Sequence, residues 1–382
     1  MKRKAIVGTI LGLVLIGIFL IAGCSEHSVI SEQEQNELIK YPKIASFLAK
    51  KDEIINSEKA FDLVITGWIT QEEANKIKSK NPNAILLSGL TVNWVYDSYE
   101  WKTFLTTVAN YGKEAPIELT EDMYLHNLEG GRCAFGWRSD EFGTSEIYAM
   151  DPRSEQWADL IVSFYEKALS QPQHDGIVID MVTEWSPCPD VISDREWIES
   201  TKRIMERIKK INKGNKLVIF NSGKNLSEID SYTGYFDGYV IENALGSWGV
   251  TFVESLDAGK DKYIVIYAVD TENTGHIDLK RMRLGLTLSL LNDNTYFTYD
   301  FGPRDHGQAW WFPEYDLNLG NPLGKYYQKD NAYWREFENG VVVSSPYSNT
   351  NVSFEEEYTD IASGIKAKSF SIEQGDGRIF IK

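Results

Sequence analysis

Eight short runs between Phe61 and Phe301 are strand-like and apolar, most of them on both parities, and this limits the fold more than any other feature of the chain. They are 61–68 (FDLVITGW), 84–94 (AILLSGLTVNW), 121–128 (EDMYLHNL), 175–182 (DGIVIDMV), 216–222 (KLVIFNS), 237–243 (DGYVIEN), 262–270 (KYIVIYAVD) and 295–301 (TYFTYDF). A strand with one face in water alternates apolar and polar residues. One that is apolar at both parities is buried on both faces, which points to a parallel sheet covered by helices. Helical patterns fill gaps between the runs, at 154–171, 194–213 and 276–292. The first presents Trp157, Leu160, Ile161, Phe164 and Leu169 on one face, with Ser154 and Glu155 as a start signal. The second offers Asp194 as N-cap and Lys209, Lys210 and Lys213 at the end that a helix dipole makes negative.

Strand and helix alternate seven times, which is the pattern of an α/β fold, and eight strands favour closure into a (β/α)8 TIM barrel over an open doubly wound sheet. No Gly-x-Gly-x-x-Gly follows the first run, which weakens a nucleotide-binding alternative. The alternation stops after Phe301, where GPRDHGQAWWFPEYDLNLGNPLG stands in place of an eighth helix. From Trp334 the composition changes to short strands at 341–343, 352–354, 369–372 and 378–381, with Asn339-Gly340 and Asp376-Gly377 as hairpin turns. The expected plan is a signal peptide over 1–23, a lipidated tether and N-terminal helical lead-in over 24–60, the barrel over 61–325 and a small C-terminal antiparallel β-domain over 326–382.

The N-terminal expectation rests on Lys2-Arg3-Lys4, the apolar run Ala5 to Ala22, and Leu20-Ile21-Ala22-Gly23-Cys24, which resembles the lipobox of bacterial lipoproteins. That resemblance implies cleavage before Cys24, acylation of its thiol, and a protein lipid-anchored in the cell envelope and facing outside the cytoplasm; a retained signal anchor is the alternative. Loss of the signal's three basic residues would move the net charge from −17 to −20. So acidic a surface disfavours nucleic acid and anionic lipid as partners. A neutral or cationic substrate suits it better, and the chain is expected to be a monomer. Cys133 and Cys188 then remain, either as a disulfide or as two free thiols.

In a TIM barrel the reacting groups sit at the C-terminal strand ends. Two of the runs echo each other: Asp175-Gly-Ile-Val-Ile-Asp180 and Asp237-Gly-Tyr-Val-Ile-Glu242. Each ends on a carboxylate four residues past the glycine, so both share one parity and can converge within one sheet. Paired carboxylates suit glycoside hydrolysis, where one group protonates the leaving oxygen and the other attacks or activates water. Asp180 is assigned as nucleophile or base and Glu242 as general acid/base, on the expectation that Tyr239 and Trp248 give Glu242 apolar surroundings. Further candidates at strand exits, suited to sugar hydroxyls and pyranose faces, are Trp68, Trp94, Asn127, Glu184, Trp185, Asn221, Asn243, Trp248, Asp270, Asp300 and Trp310. For each tryptophan, packing over the barrel mouth is the competing role.

Other barrel chemistries find little support. The five histidines, His27, His126, His174, His276 and His306, show no metal-binding spacing, no lysine lies inside an expected strand past its first residue to form a Schiff base, and no cofactor is implied. The chain resembles glycoside-hydrolase-like TIM-barrel families related to the α-galactosidase superfamily. The likeness rests on MDPRSEQW at 150–157, HDGIVIDMV at 174–182, FDGYVIEN at 236–243, YWREFENGVVV at 333–343 and DGRIF at 376–380. It implies a nucleophile after strand four and an acid/base after strand six, hence Asp180 and Glu242, although related enzymes usually carry aspartate at the second position. The leading expectation is therefore an envelope-anchored glycosidase acting on a poly- or oligosaccharide. The alternative is a non-catalytic glycan-binding lipoprotein on the same scaffold.

Overall fold

The computed structural model describes residues 41–139, 145–223, 229–247, 251, 252, 254, 256 and 263–382. The expected signal peptide, Cys24 and the tether as far as residue 40 lie outside them, as does Trp248. Eight parallel strands form one sheet in sequence order: β1 (Ala45–Phe47), β2 (Leu63–Ile65), β3 (Ile85–Thr91), β7 (Gly176–Asp180), β8 (Leu217–Asn221), β9 (Gly238–Ile241), β10 (Ile264–Asp270) and β11 (Thr295–Asp300). The sheet curls until Ile44 bridges Phe297, whose N–H donates to the Lys43 carbonyl at 2.9 Å. This is a TIM barrel.

Its interior is filled from alternate positions of each strand, including Phe47, Leu63, Ile65, Leu87, Val178, Ile219, Val240, Ile266 and Ala268. The opposite parity, for example Ile177, Ile179, Tyr239 and Ile241, belongs to the larger core under the helices. Burial on both faces explains why the strands read as continuous apolar runs. Period two then puts Asp180 directly beyond Val178, Asn221 beyond Ile219 and Glu242 beyond Val240, all on the inner face at the C-terminal mouth.

The shared Asp-Gly starts are architecture. Asp175 Oδ2 accepts the Leu86 N–H at 2.9 Å and Asp237 Oδ2 accepts the Val218 N–H at 3.0 Å, and ahead of β2 Asp62 Oδ2 accepts the Ile44 N–H at 2.7 Å. At the entrances of barrel strands two, four and six, an aspartate thus accepts an N–H near the start of the preceding strand, that of Ile44 just ahead of β1 and those of the second residues of β3 and β8. The glycines that follow are needed for close approach. A Cβ on Gly176 would lie 2.3 Å from the Leu217 carbonyl oxygen, and one on Gly238 2.4 Å from that of Ile264.

Two strand expectations are corrected. The run 121–128 is no barrel strand: it forms a 3-10 turn (Glu121–Met123) and two isolated bridges, Tyr124 to Met150 and His126 to Arg132. It sits in a long insertion between β3 and β7, where β4 (Trp94–Tyr96), β6 (Ser145–Ala149) and β5 (Ala134–Ser139) make a separate antiparallel sheet. The true first strand, β1, lies ahead of Phe61 in the segment read as lead-in; three residues, Ala-Ser-Phe, are too few for a periodic signal. One strand lost and one gained leave the count unchanged, so Asp180 and Glu242 do follow barrel strands four and six.

Of the helices, α1 (Lys51–Asn56), α2 (Gln71–Lys78) and α3 (Tyr99–Ala109) precede α4 (Glu155–Ser170), which Ser154 caps through the Trp157 N–H. Helix α5 (Asp194–Ile211) is capped by Ser193 rather than Asp194, whose carboxylate instead accepts the Ser186 N–H. Helix α6 (Leu279–Leu290) starts at the Asp278 cap. After β11 the described chain holds only a 3-10 turn (Pro313–Asp316) before the second sheet. Among the described residues no helix is long and apolar enough to cross a membrane.

The C-terminal sheet comprises β12 (Tyr327–Lys329), β13 (Ala332–Phe337), β14 (Gly340–Ser345), β15 (Thr350–Asp360), β16 (Lys366–Ile372) and β17 (Asp376–Ile381), all antiparallel, in the order β12-β13-β14-β17-β15-β16. It packs on α6. Arg283 of that helix donates to both oxygens of Asp376, at 3.0 and 2.9 Å, and Ser344 Oγ meets Thr287 Oγ1 at 2.8 Å. Asp376 therefore opens β17 as an ion-pair partner. The turn before it falls at Gln374-Gly375 instead of the expected Asp376-Gly377, with Gly375 at φ 76.

Candidate active site

A cavity of about 490 Å³ opens at the C-terminal mouth of the barrel. Asp180, Asn221 and Glu242 line it together with Leu48, Tyr96, Phe135, Met181, Arg304 and His306. Asn221 joins the two carboxylates. Its Nδ2 donates to Asp180 Oδ1 at 2.7 Å and to Glu242 Oε1 at 2.8 Å. Two hydrogen bonds to one nitrogen cap the separation of those oxygens at the sum of their lengths, about 5.5 Å. The convergence expected from the two echoing strands is present, with β8 between them supplying the bridge.

Backbone geometry fixes both carboxylates. Met181 and Asn243, the residues just after them, have φ of 53 and 45, a left-handed conformation that side chains rarely adopt. The turn at Met181 brings its N–H onto Asp180 Oδ1 at 2.8 Å, and the Asn243 amide is gripped by both oxygens of buried Asp270 at 2.9 and 3.0 Å. Asn243 and Asp270, expected to hold sugar hydroxyls, instead hold each other and so anchor the chain beside Glu242. Neither lines the cavity.

Burial pushes the Glu242 carboxyl up to about 7; His306 and the Asn221 hydrogen bond pull against that rise, and the charges of Asp180 and Asp300 add to it. Burial also raises Asp180, opposed by the hydrogen bonds from Asn221 and the Met181 N–H and by His306. The pair is thus arranged so that Glu242 holds a proton near neutrality while Asp180 collects the donors that favour its anion. Tyr239 is not the source of the Glu242 environment, because its parity turns it outward among the helix-facing core. Leu48, Phe135 and Met181 supply the apolar cavity wall.

His306 is the residue that sequence reasoning missed. It lies in the Gly- and Pro-rich loop after β11, is 5 % exposed, and packs edge-on against Phe47 at 4.8 Å between ring centroids. Its Nδ1 hydrogen-bonds Asp300 Oδ2 at 2.9 Å, and its Nε2 stands 3.8 Å from Glu242 Oε1. Asp300, expected as a sugar ligand, is 1 % exposed and sits behind the histidine. A lone histidine without spacing partners gave no signal for this role.

The remaining candidates divide by position. Trp68 packs against Phe104, Phe164 and His174, and buried Trp94 against Phe135, Trp185 and Trp197. Trp310 leans on Tyr299, exposed Asn127 organises its own turn by accepting the Glu129 and Gly131 N–H groups, and Glu184 accepts the Ser231 N–H. None of these lines the cavity. Trp185 differs: it is 41 % exposed, and its ring lies 5.4 Å from that of cavity-lining Phe135. A disulfide between Cys133 and Cys188 ties the insertion that carries Phe135 to the loop that carries Trp185. Among the described residues no cluster of three or more His, Cys, Asp or Glu could hold a metal ion.

The barrel is that of a glycosidase-class enzyme by the family to which the chain belongs. The chain belongs to hypothetical glycosyl hydrolase family 15, whose profile matches residues 78–341. No curated protein sequence matches it. Similar solved structures include an α-galactosidase from Thermus thermophilus (15 % identity, 72 % of this chain and 60 % of that one, TM-score 0.46). Others are an α-amylase from Anoxybacillus (11 %, 91 % and 94 %, 0.48) and the glycoside hydrolase domain of PelA from Pseudomonas aeruginosa (12 %, 69 % and 95 %, 0.44). The chain spans less than two thirds of the Thermus enzyme's length.

Proposed function

We propose that this protein hydrolyses O-glycosidic bonds of a poly- or oligosaccharide with retention of anomeric configuration, Asp180 acting as nucleophile and Glu242 as acid/base. The observation that carries this reading is the single Asn221 amide held by both carboxylates. It keeps their nearest oxygens within about 5.5 Å, the range of retaining enzymes, where inverting ones need roughly 6.5–9.5 Å to admit a water. Both hydrogen bonds to Asp180 fall on Oδ1, which leaves Oδ2 to attack the anomeric carbon. Glu242 protonates the departing glycosidic oxygen as the C–O bond breaks and a glycosyl ester forms on Asp180. Glu242, now ionised, takes a proton from water while that water's oxygen displaces Asp180 from the anomeric carbon. Trp185 and Phe135 offer a stacking surface for a sugar beyond the cleaved bond.

The lipobox supports an envelope-anchored protein facing outside the cytoplasm, and the Cys133–Cys188 disulfide suits an oxidising compartment. Hydrolysis of a glycan panel by the detergent-solubilised chain, compared with Asp180→Asn and Glu242→Gln, tests the chemistry. Each substitution is expected to cost at least about a hundredfold. A cleaved substrate on which both variants keep the wild-type rate refutes the assignment, and binding without turnover across the panel favours a glycan-binding protein instead. Loss of radiolabelled fatty acid from a Cys24→Ala variant tests the anchor.

A further inference from the structure

We propose that His306, held as an imidazolium by buried Asp300, is a positioning residue whose charge allows Glu242 to part with its proton and to persist as a carboxylate while the glycosyl ester stands on Asp180. The inference rests on the reading of Glu242 as acid/base and adds two residues to it. It starts from Asp300. That carboxylate is 1 % exposed, and its Oδ1 has no hydrogen-bond partner among the described residues. A buried anion needs a compensating charge. Among the described residues the only group within 4.0 Å of Asp300 able to carry one is His306, through Nδ1 at 2.9 Å. A carboxylate on Nδ1 requires a proton there and favours a second on Nε2.

That second N–H faces Glu242. The 3.8 Å from Nε2 to Oε1 is ion-pair range and longer than a hydrogen bond, so the histidine acts through its charge, without transferring a proton in this arrangement. Phe47, edge-on to the ring, and the Asp300 contact hold the imidazole in plane. Among the described residues, the other charged groups around Glu242 are Asp180 across the Asn221 bridge and Arg304 at the cavity wall; on the far side of the loop Lys50 pairs with Asp305 at 3.6 Å. Asp180 opposes ionisation of Glu242 and His306 favours it. When Asp180 becomes an ester its charge disappears, and the imidazolium, the only cation within 4.0 Å of Glu242 among the described residues, then favours its ionised form against the charge of Asp300 behind the ring.

The test is a carboxyl-carbon NMR titration of full-length protein labelled with 13C-glutamate in detergent, comparing wild type, His306→Gln and Asp300→Asn, with Glu242→Gln identifying the resonance. An opposite charge at this range moves a carboxyl by about one to three pH units. His306→Gln is therefore expected to raise the Glu242 midpoint by about that much. Asp300→Asn removes both the group that holds the imidazolium proton and a charge that itself raises Glu242, so its midpoint should move less than that of His306→Gln; His306→Asn serves where His306→Gln fails to fold. An unchanged or lowered midpoint in the folded His306 variants overturns the proposal. No substrate is needed, so failure of the glycosidase reading on the glycan panel is told apart from failure here. On a cleaved glycan, the alkaline limb of kcat/KM should follow the same upward shift, whereas a merely structural role would lower kcat and leave the profile in place.

Discussion

Glu242→Gln should make the protein more stable at alkaline pH and leave its stability unchanged in acid. In the unfolded chain this carboxyl ionises near 4.5, and in the folded protein burial raises it to about 7. Below pH 4.5 both states hold the proton and the shift costs nothing. Between 4.5 and 7 the unfolded chain releases a proton that the folded one retains, so rising pH favours unfolding through that window. Above 7 the penalty is constant. A shift of about 2.5 units corresponds to about 3 kcal/mol, and with 15 % of the side chain exposed little of this is lost to solvent screening. Glutamine matches the shape, carries no charge at any pH and avoids the penalty. For a folded unit of this size, an unfolding entropy of about 2 cal/mol/K per residue turns 3 kcal/mol into about 4 °C. Calorimetric Tm values for wild type and variant across pH 4 to 9 provide the assay. Expected is a difference near zero at pH 4 that grows through neutrality to a plateau of a few degrees. A difference independent of pH, or a variant less stable than wild type at pH 8, would refute the claim that Glu242 is held buried and protonated.

Asn221→Ala removes the donor shared by both carboxylates. Each charge-assisted bond is worth roughly 1.5–3 kcal/mol, so the acid limb of kcat/KM should move up by about one to two pH units, read from a pH–rate profile. Arg283→Ala strands Asp376, 3 % exposed, with Arg378 as its remaining cation; urea unfolding should show a loss of about 3 kcal/mol, arising where the β-domain meets α6. Gly238→Ala places a Cβ 2.4 Å from the Ile264 carbonyl oxygen and 2.7 Å from Ile219 Cδ1. It should destabilise the barrel by about 1–3 kcal/mol or more in the same assay, although Gly238 touches no part of the cavity.

What could be read in advance followed from periodicity. Asp180 and Glu242 were legible because strand parity is rigid: a carboxylate four residues past a strand's first glycine must face the same way in both strands. Their count along the barrel came out right through two compensating errors. The insertion's EDMYLHNL alternates like a strand without joining the sheet, while Ala45-Ser-Phe47 joins the sheet without alternating long enough to be seen. Asp270 and Asn243 show the limit of counting polar groups at strand ends. Both are there, and only three-dimensional contact reveals that they satisfy each other. Most of the tryptophans read at strand exits proved to be packing for the same reason. His306 was illegible because its role depends on a loop without periodicity folding back over β11 to meet Asp300.

The most direct test of the central claim is the anomeric configuration of the first product released from a cleaved glycan, followed by proton NMR before mutarotation sets in. Carboxylates whose bridged oxygens Asn221 holds within about 5.5 Å of each other fall in the separation range of retaining enzymes, and the proposal therefore predicts a product with the configuration of the substrate. An inverted product would contradict the assignment of Asp180 as nucleophile and the geometry on which it rests.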